Sequence, residues 1–353
     1  MNAPYDLDLV DLSDEEIAAR SAGAVYTDAH EMQWDTLLAF DGKHDPDCLM
    51  GNRFLGRTGG LVIVAPSGVG KSVYSFQLGA CAALGKPFFG IRMSGPLRVL
   101  YVQAEDDVGD VAESAQGFFA TYKPTPAEQA GLRERMRIVR WNDAAGGKFL
   151  IRLRAEYERH PFDLVIINPL FSFAGCNVSE QRELSPFLRN GLNAILNDTR
   201  AACVIVHHTN KPSAEERKSK TNSDQYAGSG SAELTNWARA YITLQNVKAA
   251  GDHVYKMALV KRGRRAGILD AAGKPTTSLF VQHAEHGLCW MPSDYSPDQA
   301  GGGKFKPKFD LSRASQLFDP ALGWTQNETR IAADQGMSPR AVRGYREALE
   351  AVT

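Results

Sequence analysis

The chain has 353 residues, 43% hydrophobic and 23% charged, enough apolar material for one large core and an appendage. A formal net charge of −1 and an isoelectric point of about 6.7 exclude a uniformly basic nucleic-acid-binding protein, though not a local basic surface. Cys48, Cys81, Cys176, Cys203 and Cys289 lie far apart with no C-x-x-C pair, so buried free thiols in a reducing compartment are expected.

The start of the chain, MNAPYDLDLVDLSDEE, is acidic and has no apolar signal region. No apolar run approaches the roughly 20 residues of a membrane span, so a cytoplasmic protein without membrane contact is expected. Residues 1–44 read as an N-terminal extension, with one short helix in LSDEEIAARSA capped by Ser13 and Glu16. The turn-rich HDPDCLMGNRFLGRTGG leads into a strand, LVIVA (61–65), and a helix from Gly70 to about Leu84. RVLYVQ (98–103), MRIVRW (136–141), LVIIN (164–168) and CVIVH (203–207) are further strands. Helices are expected between them at about 108–122, 147–159 and 179–197. Short, nearly continuous apolar strands alternating with amphipathic helices predict an α/β fold, a mainly parallel sheet covered on both faces. From Lys211 to Ser229 the chain is polar and rich in small residues and reads as a long loop. ARAYITLQ, HVYKMALVKR and SLFVQHAEHGLCW then extend the sheet as antiparallel strands. This main domain is expected over 45–293, followed by a linker at 294–308 and a compact module at 309–353.

APSGVGKS (65–72) nearly matches G-x-x-x-x-G-K-[ST], with Ala65 where the pattern has its first glycine. Backbone N–H groups of residues 67–72 at a helix start form an anion nest, and Ala65 is tolerated if its φ stays negative. Pro66, Ser67, Gly68, Val69, Gly70, Lys71, Ser72 and Val73 are the expected contacts of ATP. Lys71 reaches the β- and γ-phosphates and Ser72 ligates Mg²⁺. The second strand ends YVQAEDD. Beside the P-loop strand, it would let Glu105 polarise an attacking water, although Glu105, Asp106 and Asp107 fit a solvated helix start equally well. The fourth strand, DLVIINPL, ends at Asn168, where a metal-side Asp is usual, so weaker Mg²⁺ binding is expected with Asp106 or Asp107 as a compensating carboxylate. The fifth strand ends VHHTNK, at the crevice edge where such sheets bind ligands. His208 is a candidate γ-phosphate sensor there, or simply part of a strand-capping pair.

The order of P-loop, strand-end Glu105, fourth-strand motif, His207–His208, long loop and GSAELTNWAR (230–239) resembles the RecA-type P-loop ATPases. It is closest in pattern to the RepA-like hexameric replicative helicases of plasmids and mobile elements, over roughly residues 45–293. The resemblance implies a RecA-like ATPase domain with ATP and Mg²⁺ at the interfaces of a homo-oligomeric, hexameric ring. Glu105 is then the catalytic carboxylate, His208 the sensor and Arg239 an arginine finger reaching the neighbouring subunit. Ala65 and Asn168 both depart from the family pattern.

Lys211, Arg217, Lys218 and Lys220 in the long loop can track a single-stranded DNA backbone, unless the loop is merely solvated. Lys261 and Arg262, in LVKRGRRAG, contact DNA or form a second finger. In the C-terminal module, Thr325 and Glu328 are read as a capping box and Ser338–Pro339 as the next helix start. The pair is a helix–turn–helix or winged-helix-like module carrying Arg340, Arg343 and Arg346 toward DNA or a partner protein. The leading expectation is a ring-forming, ATP-dependent DNA motor working with a primase or initiator. The alternatives are a DNA-associated ATPase that does not unwind (a loader, recombination mediator or defence switch) and a regulator whose nucleotide sets its oligomeric state.

Overall fold

A computed structural model of the chain describes residues 33–208, 232–247, 254–270, 272–285, 288–295, 311–335, 339–343 and 345–350. The chain divides into two compact units, Met1–Asp294 and Tyr295–Thr353.

In the first unit, helix α1 (Trp34–Leu38) buries none of its residues. A small ribbon of β1 (Cys48–Met50) and β2 (Leu55–Gly56) precedes the P-loop strand β3 (Gly60–Ala65). There follow helix α2 (Lys71–Leu84), β4 (Val99–Gln103) and α3 (Val108–Tyr122). Next come α4 (Pro126–Arg135), β5 (Met136–Arg140), α5 (Gly147–Arg159) and β6 (Leu164–Asn168). After α6 (Phe171–Ala174), α7 (Gln181–Ser185) passes through a π-helical segment, Pro186–Leu192, into α8 (Asn193–Thr199). Strand β7 (Ala202–His208), α9 (Ala232–Trp237), β8 (Ala240–Asn246) and β9 (Val254–Lys261) lead to α10 (Gly263–Ala266), β10 (Ser278–His283) and β11 (Trp290–Pro292).

Nine of these strands form one sheet in the order β11-β10-β9-β8-β3-β7-β6-β4-β5. The pairs from β8 to β5 are parallel, and β9, β10 and β11 extend the sheet antiparallel, as expected. Alternation along each strand splits the core between two faces. Ile63, Val99, Ile166 and Val204 pack under α2. Val62, Val64, Val165 and Ile205 face α5 and the 186–196 segment.

Two local expectations are corrected, and one helix is additional to those expected. Strand β4 is not beside the P-loop strand, because β7 and β6 lie between them. The single helix expected over 179–197 begins at Gln181 and is interrupted by the π segment starting at Pro186, whose missing N–H removes one helical hydrogen bond. Helix α4 is not among the expected elements, although Thr125, Pro126 and Glu128 build a full capping box at its start.

Among its described residues the second unit has four short helices: α11 (Leu311–Leu317), α12 (Trp324–Asp334), α13 (Pro339–Arg343) and α14 (Arg346–Glu350). They enclose Ala314, Ile331, Ala332, Val342 and Leu349. Thr325 does not cap α12. Gly323 precedes the helix and donates its N–H to Gln326 Oε1. Glu328 is instead buried and accepts a two-pronged guanidinium from Arg343. The helix expected to carry three arginines breaks between Arg343 and Arg346, and no strand is found among this unit's described residues. Ser13, Glu16 and Ser338, the loop cations Lys211, Arg217, Lys218 and Lys220, and the side chain of Arg340 lie outside the described residues.

Candidate nucleotide site

The loop after β3 has the backbone of a phosphate nest. Gly68 and Gly70 adopt φ of 78° and 88°. Pro66, Ser67 and Gly68 are exposed at the tip, while Val69 and Lys71 are buried below it. The N–H groups of residues 67–72 find no acceptor among the described residues. Six donors at the start of a 14-residue helix, four of whose N–H groups have no partner in any case, form a site for an anion. Ala65 ends β3 in ordinary extended geometry and is fully buried, so the missing glycine costs nothing at this turn.

Lys71 folds back so that Nζ donates to Pro66 O at 2.7 Å. Burial pulls its ammonium down to about 8, and Glu105 works against that. A phosphate would compete for this donor. Beyond β7 and β6, the end of β4 shapes a tight turn. Gln103, buried, donates to Asp106 O at 2.7 Å and accepts from Asp106 N at 2.8 Å. Asp107 caps α3 by exchanging hydrogen bonds with Asp110. It therefore has the solvated helix-start role. Glu105 and Asp106 do not share it.

Glu105 Oε2 lies 4.0 Å from His208 Nε2. Burial raises the Glu105 carboxyl, as does Asp106, while Lys71 lowers it. Burial and then Lys71 lower the His208 imidazole. His208 ends β7 in register with Ala65, and its ring meets Phe171 at 5.8 Å. Lys71 after β3, His208 at the end of its neighbour β7 and Glu105 after the more distant β4 thus come together, because the crevice spans the C-terminal edges of β3, β7, β6 and β4.

Asn168, at the end of β6, is 4% exposed. Its Nδ2 donates to Ser72 Oγ at 3.1 Å and to Tyr101 OH at 3.0 Å. Tyr101 in turn donates to Ser72 O at 3.3 Å. The Asn168 amide thus orients Ser72 and adds no charge. The charge comes from Asp106, whose half-buried carboxylate hydrogen-bonds Ser72; burial raises its pKa and that bond opposes the rise. One hydroxyl and one carboxylate beside a phosphate site are a donor set that suits Mg²⁺, which keeps several waters and takes few protein ligands. The sequence hinted at Asp106 only as one of two adjacent acids. The Gln103 brace that separates its role from that of Asp107 has no sequence signature.

At the other end of β3 stands a different constellation. Arg239 N donates to Gly60 O, and the Trp237 ring packs so closely that a Cβ on Gly60 would lie 2.3 Å from it. Trp237 Nε1 is anchored on Asn193 Oδ1 at 2.7 Å. Arg239, Lys261 and Arg262 line a cleft of about 620 Å³ that has no acidic residue in its wall. Lys261 Nζ is held by the carbonyls of Thr235 and Ala238. Burial, Arg239 and Arg262 all lower its ammonium. Arg262 is lowered likewise, by burial and by Arg239, Arg265 and Arg53. In the second unit, Arg343 is engaged by Glu328 and Arg346 by Glu350, with Arg346 also over the Trp324 ring.

A phosphate nest with lysine and serine at its helix start, on a mainly parallel sheet with a carboxylate at the crevice, defines a P-loop nucleotide-hydrolase fold of the RecA-like kind. A family model described as an AAA domain matches residues 29–214, slightly more than half of the chain, and the chain belongs to that family of P-loop ATPase domains. No curated protein matches the chain. No described helix is long and apolar enough to cross a membrane.

Proposed function

We propose that this ATPase domain works as a ring of identical subunits, a RepA-like motor that moves along single-stranded DNA. The observation that carries the reading is the acid-free cluster of Arg239, Lys261 and Arg262 at the start of β3. The six-residue strand separates it from its own phosphate loop by about 20 Å. Three crowded cations need an anion, and their own loop is out of reach, so the γ-phosphate held by a second copy is the fitting partner. In this reading residues 66–73 bind the phosphates of ATP, and Lys71 leaves Pro66 O to meet them. Glu105 accepts a proton from the attacking water, with His208 beside it to register the γ-phosphate. Arg239 stabilises the developing charge in trans, a contribution worth about 10³–10⁵ in rate for such fingers. Ser72 and Asp106, with Asn168 orienting Ser72, hold Mg²⁺, which neutralises phosphate charge when bound.

Native mass spectrometry with and without ATP, Mg²⁺ and a single-stranded oligonucleotide tests assembly, and separation of a forked duplex tests motor activity. A monomer under every condition rejects the trans arrangement. DNA-stimulated hydrolysis without strand separation at any salt concentration leaves a DNA-associated ATPase that does not unwind.

A further inference from the structure

The strands β10 and β11 close back over the phosphate loop, although β9 and β8 separate them from β3 in the sheet. His283 Nε2 contacts Val69 O at 3.1 Å, and Trp290 Nε1 donates to Gly70 O at 3.2 Å. The His283 ring lies so near Gly70 that a Cβ there would be 2.8 Å from its Cε1. The two rings are themselves in contact, with centroids 4.0 Å apart. Gln77, buried in α2, accepts from Trp290 N at 2.8 Å and donates to Trp290 O at 2.9 Å, completing a strand edge with a side-chain amide. The same hairpin touches α3, where a Cβ on Gly117 would lie 2.3 Å from Leu288 O.

A trans peptide points its C=O and N–H in opposite directions. Pinning the Val69 and Gly70 carbonyls from behind therefore turns the following N–H groups, those of Gly70 and Lys71, toward the open side of the loop. Gly70 O also accepts the Tyr74 N–H of α2 at 3.0 Å, so Trp290 reinforces a peptide that the helix start already orients, whereas the Val69 carbonyl, in a loop with two residues at positive φ, relies on His283.

We infer that His283 and Trp290 are positioning residues for phosphate binding, holding the nest donors of Gly70 and Lys71 in their binding orientation before any nucleotide arrives. This rests on reading residues 65–72 as the phosphate site. The hairpin also bridges that loop to α3, the helix that follows the turn carrying Glu105 and Asp106, so it sets the spacing between the phosphate-binding and water-activating sides of the crevice.

The test is calorimetric titration of the full chain with ATP, ADP and inorganic tripolyphosphate, which probes the loop without a base. His283→Leu and Trp290→Phe each keep the bulk and remove the donor. Each is expected to weaken all three ligands about tenfold, the size of one lost hydrogen bond to an oriented carbonyl. In steady-state hydrolysis KM is expected to rise more than kcat falls. His283→Gln, which restores a donor near the Nε2 position, is expected to recover most of the affinity. A merely structural role would lower the melting temperature and leave the affinity of the folded protein unchanged. Wild-type affinity in a folded His283→Leu variant overturns the inference. Trp290→Phe decides in the same way if His283→Leu does not fold. If the wild-type protein binds none of the three ligands, the phosphate-site reading itself fails, and Lys71→Ala then makes no difference.

Discussion

Asn168 is the residue at which this site departs most from the pattern it resembles. As a donor to Ser72 and Tyr101 it costs no charge burial. Asn168→Asp would place a carboxylate in a 4% exposed position and remove both donated bonds. Without metal that variant is expected to lose about 1–3 kcal/mol, read as a lower melting temperature in chelator, and to regain it with Mg²⁺ and ADP. Asp106→Asn is expected to raise the Mg²⁺ concentration needed for tight nucleotide binding by about tenfold while leaving metal-free stability nearly unchanged. An unchanged Mg²⁺ requirement removes Asp106 from the site. Lys71 makes a pH prediction. Its folded pKa of about 8 lies below the ordinary value of 10.5, so the nucleotide-free protein loses that charge as pH rises through 8. Binding polyphosphate favours the charged form, so nucleotide binding between about pH 8 and 10 is expected to take up a proton. Titration in buffers of different ionisation heat measures the uptake, and Lys71→Ala abolishes it.

Secondary-structure elements carry the geometry through their ends. Asp163 opens β6 and collects Arg98 through its backbone N–H and guanidinium, together with the Arg57 guanidinium. One carboxylate thereby ties β4, β6 and the turn before β3 at the edge opposite the crevice. Burial works to raise the pKa of Asp163, but the Arg98 hydrogen bonds and charge, with Arg57, hold it below the ordinary value of 3.8. A depressed carboxylate stabilises the fold above its unfolded pKa and loses that effect as pH falls through the folded value. Asp163→Asn is therefore expected to lower the melting temperature at neutral pH and to flatten its fall below about pH 4, a comparison made by thermal scans across pH. The π segment has a related effect: it presents Arg189 to the buried Glu233 at the start of α9, the helix whose Trp237 seats Arg239.

In the whole molecule, the phosphate nest and the acid-free cations occupy opposite ends of β3, so one subunit offers two halves of different sites. If the halves meet between copies, mixing Lys71→Ala subunits with Arg239→Ala subunits is expected to restore part of the hydrolysis that each lacks alone. Arg239→Ala alone is expected to bind ATP with wild-type affinity and to lose at least about 10³-fold in kcat. No recovery on mixing, with both variants folded, argues for action within one chain.

Much of this was legible without coordinates, where the signal is local. The P-loop, the order of strands and helices and the tolerance of Ala65 follow from patterns a few residues long, because period, capping and turn chemistry act at that range. Glu105 and His208 stand out as candidates by their places at strand ends, and the fold puts them 4.0 Å apart, whereas Arg239 is a candidate only through the family resemblance. What the sequence could not convey were relations across the sheet. They include the separation of β4 from β3, Asp106 rather than Asp107 turned to Ser72, Glu328 committed to Arg343, and His283 and Trp290 behind the loop more than 200 positions earlier in the chain. Such contacts depend on which edges the sheet order brings together, and hydrophobic periodicity is the same for every order that buries the same faces.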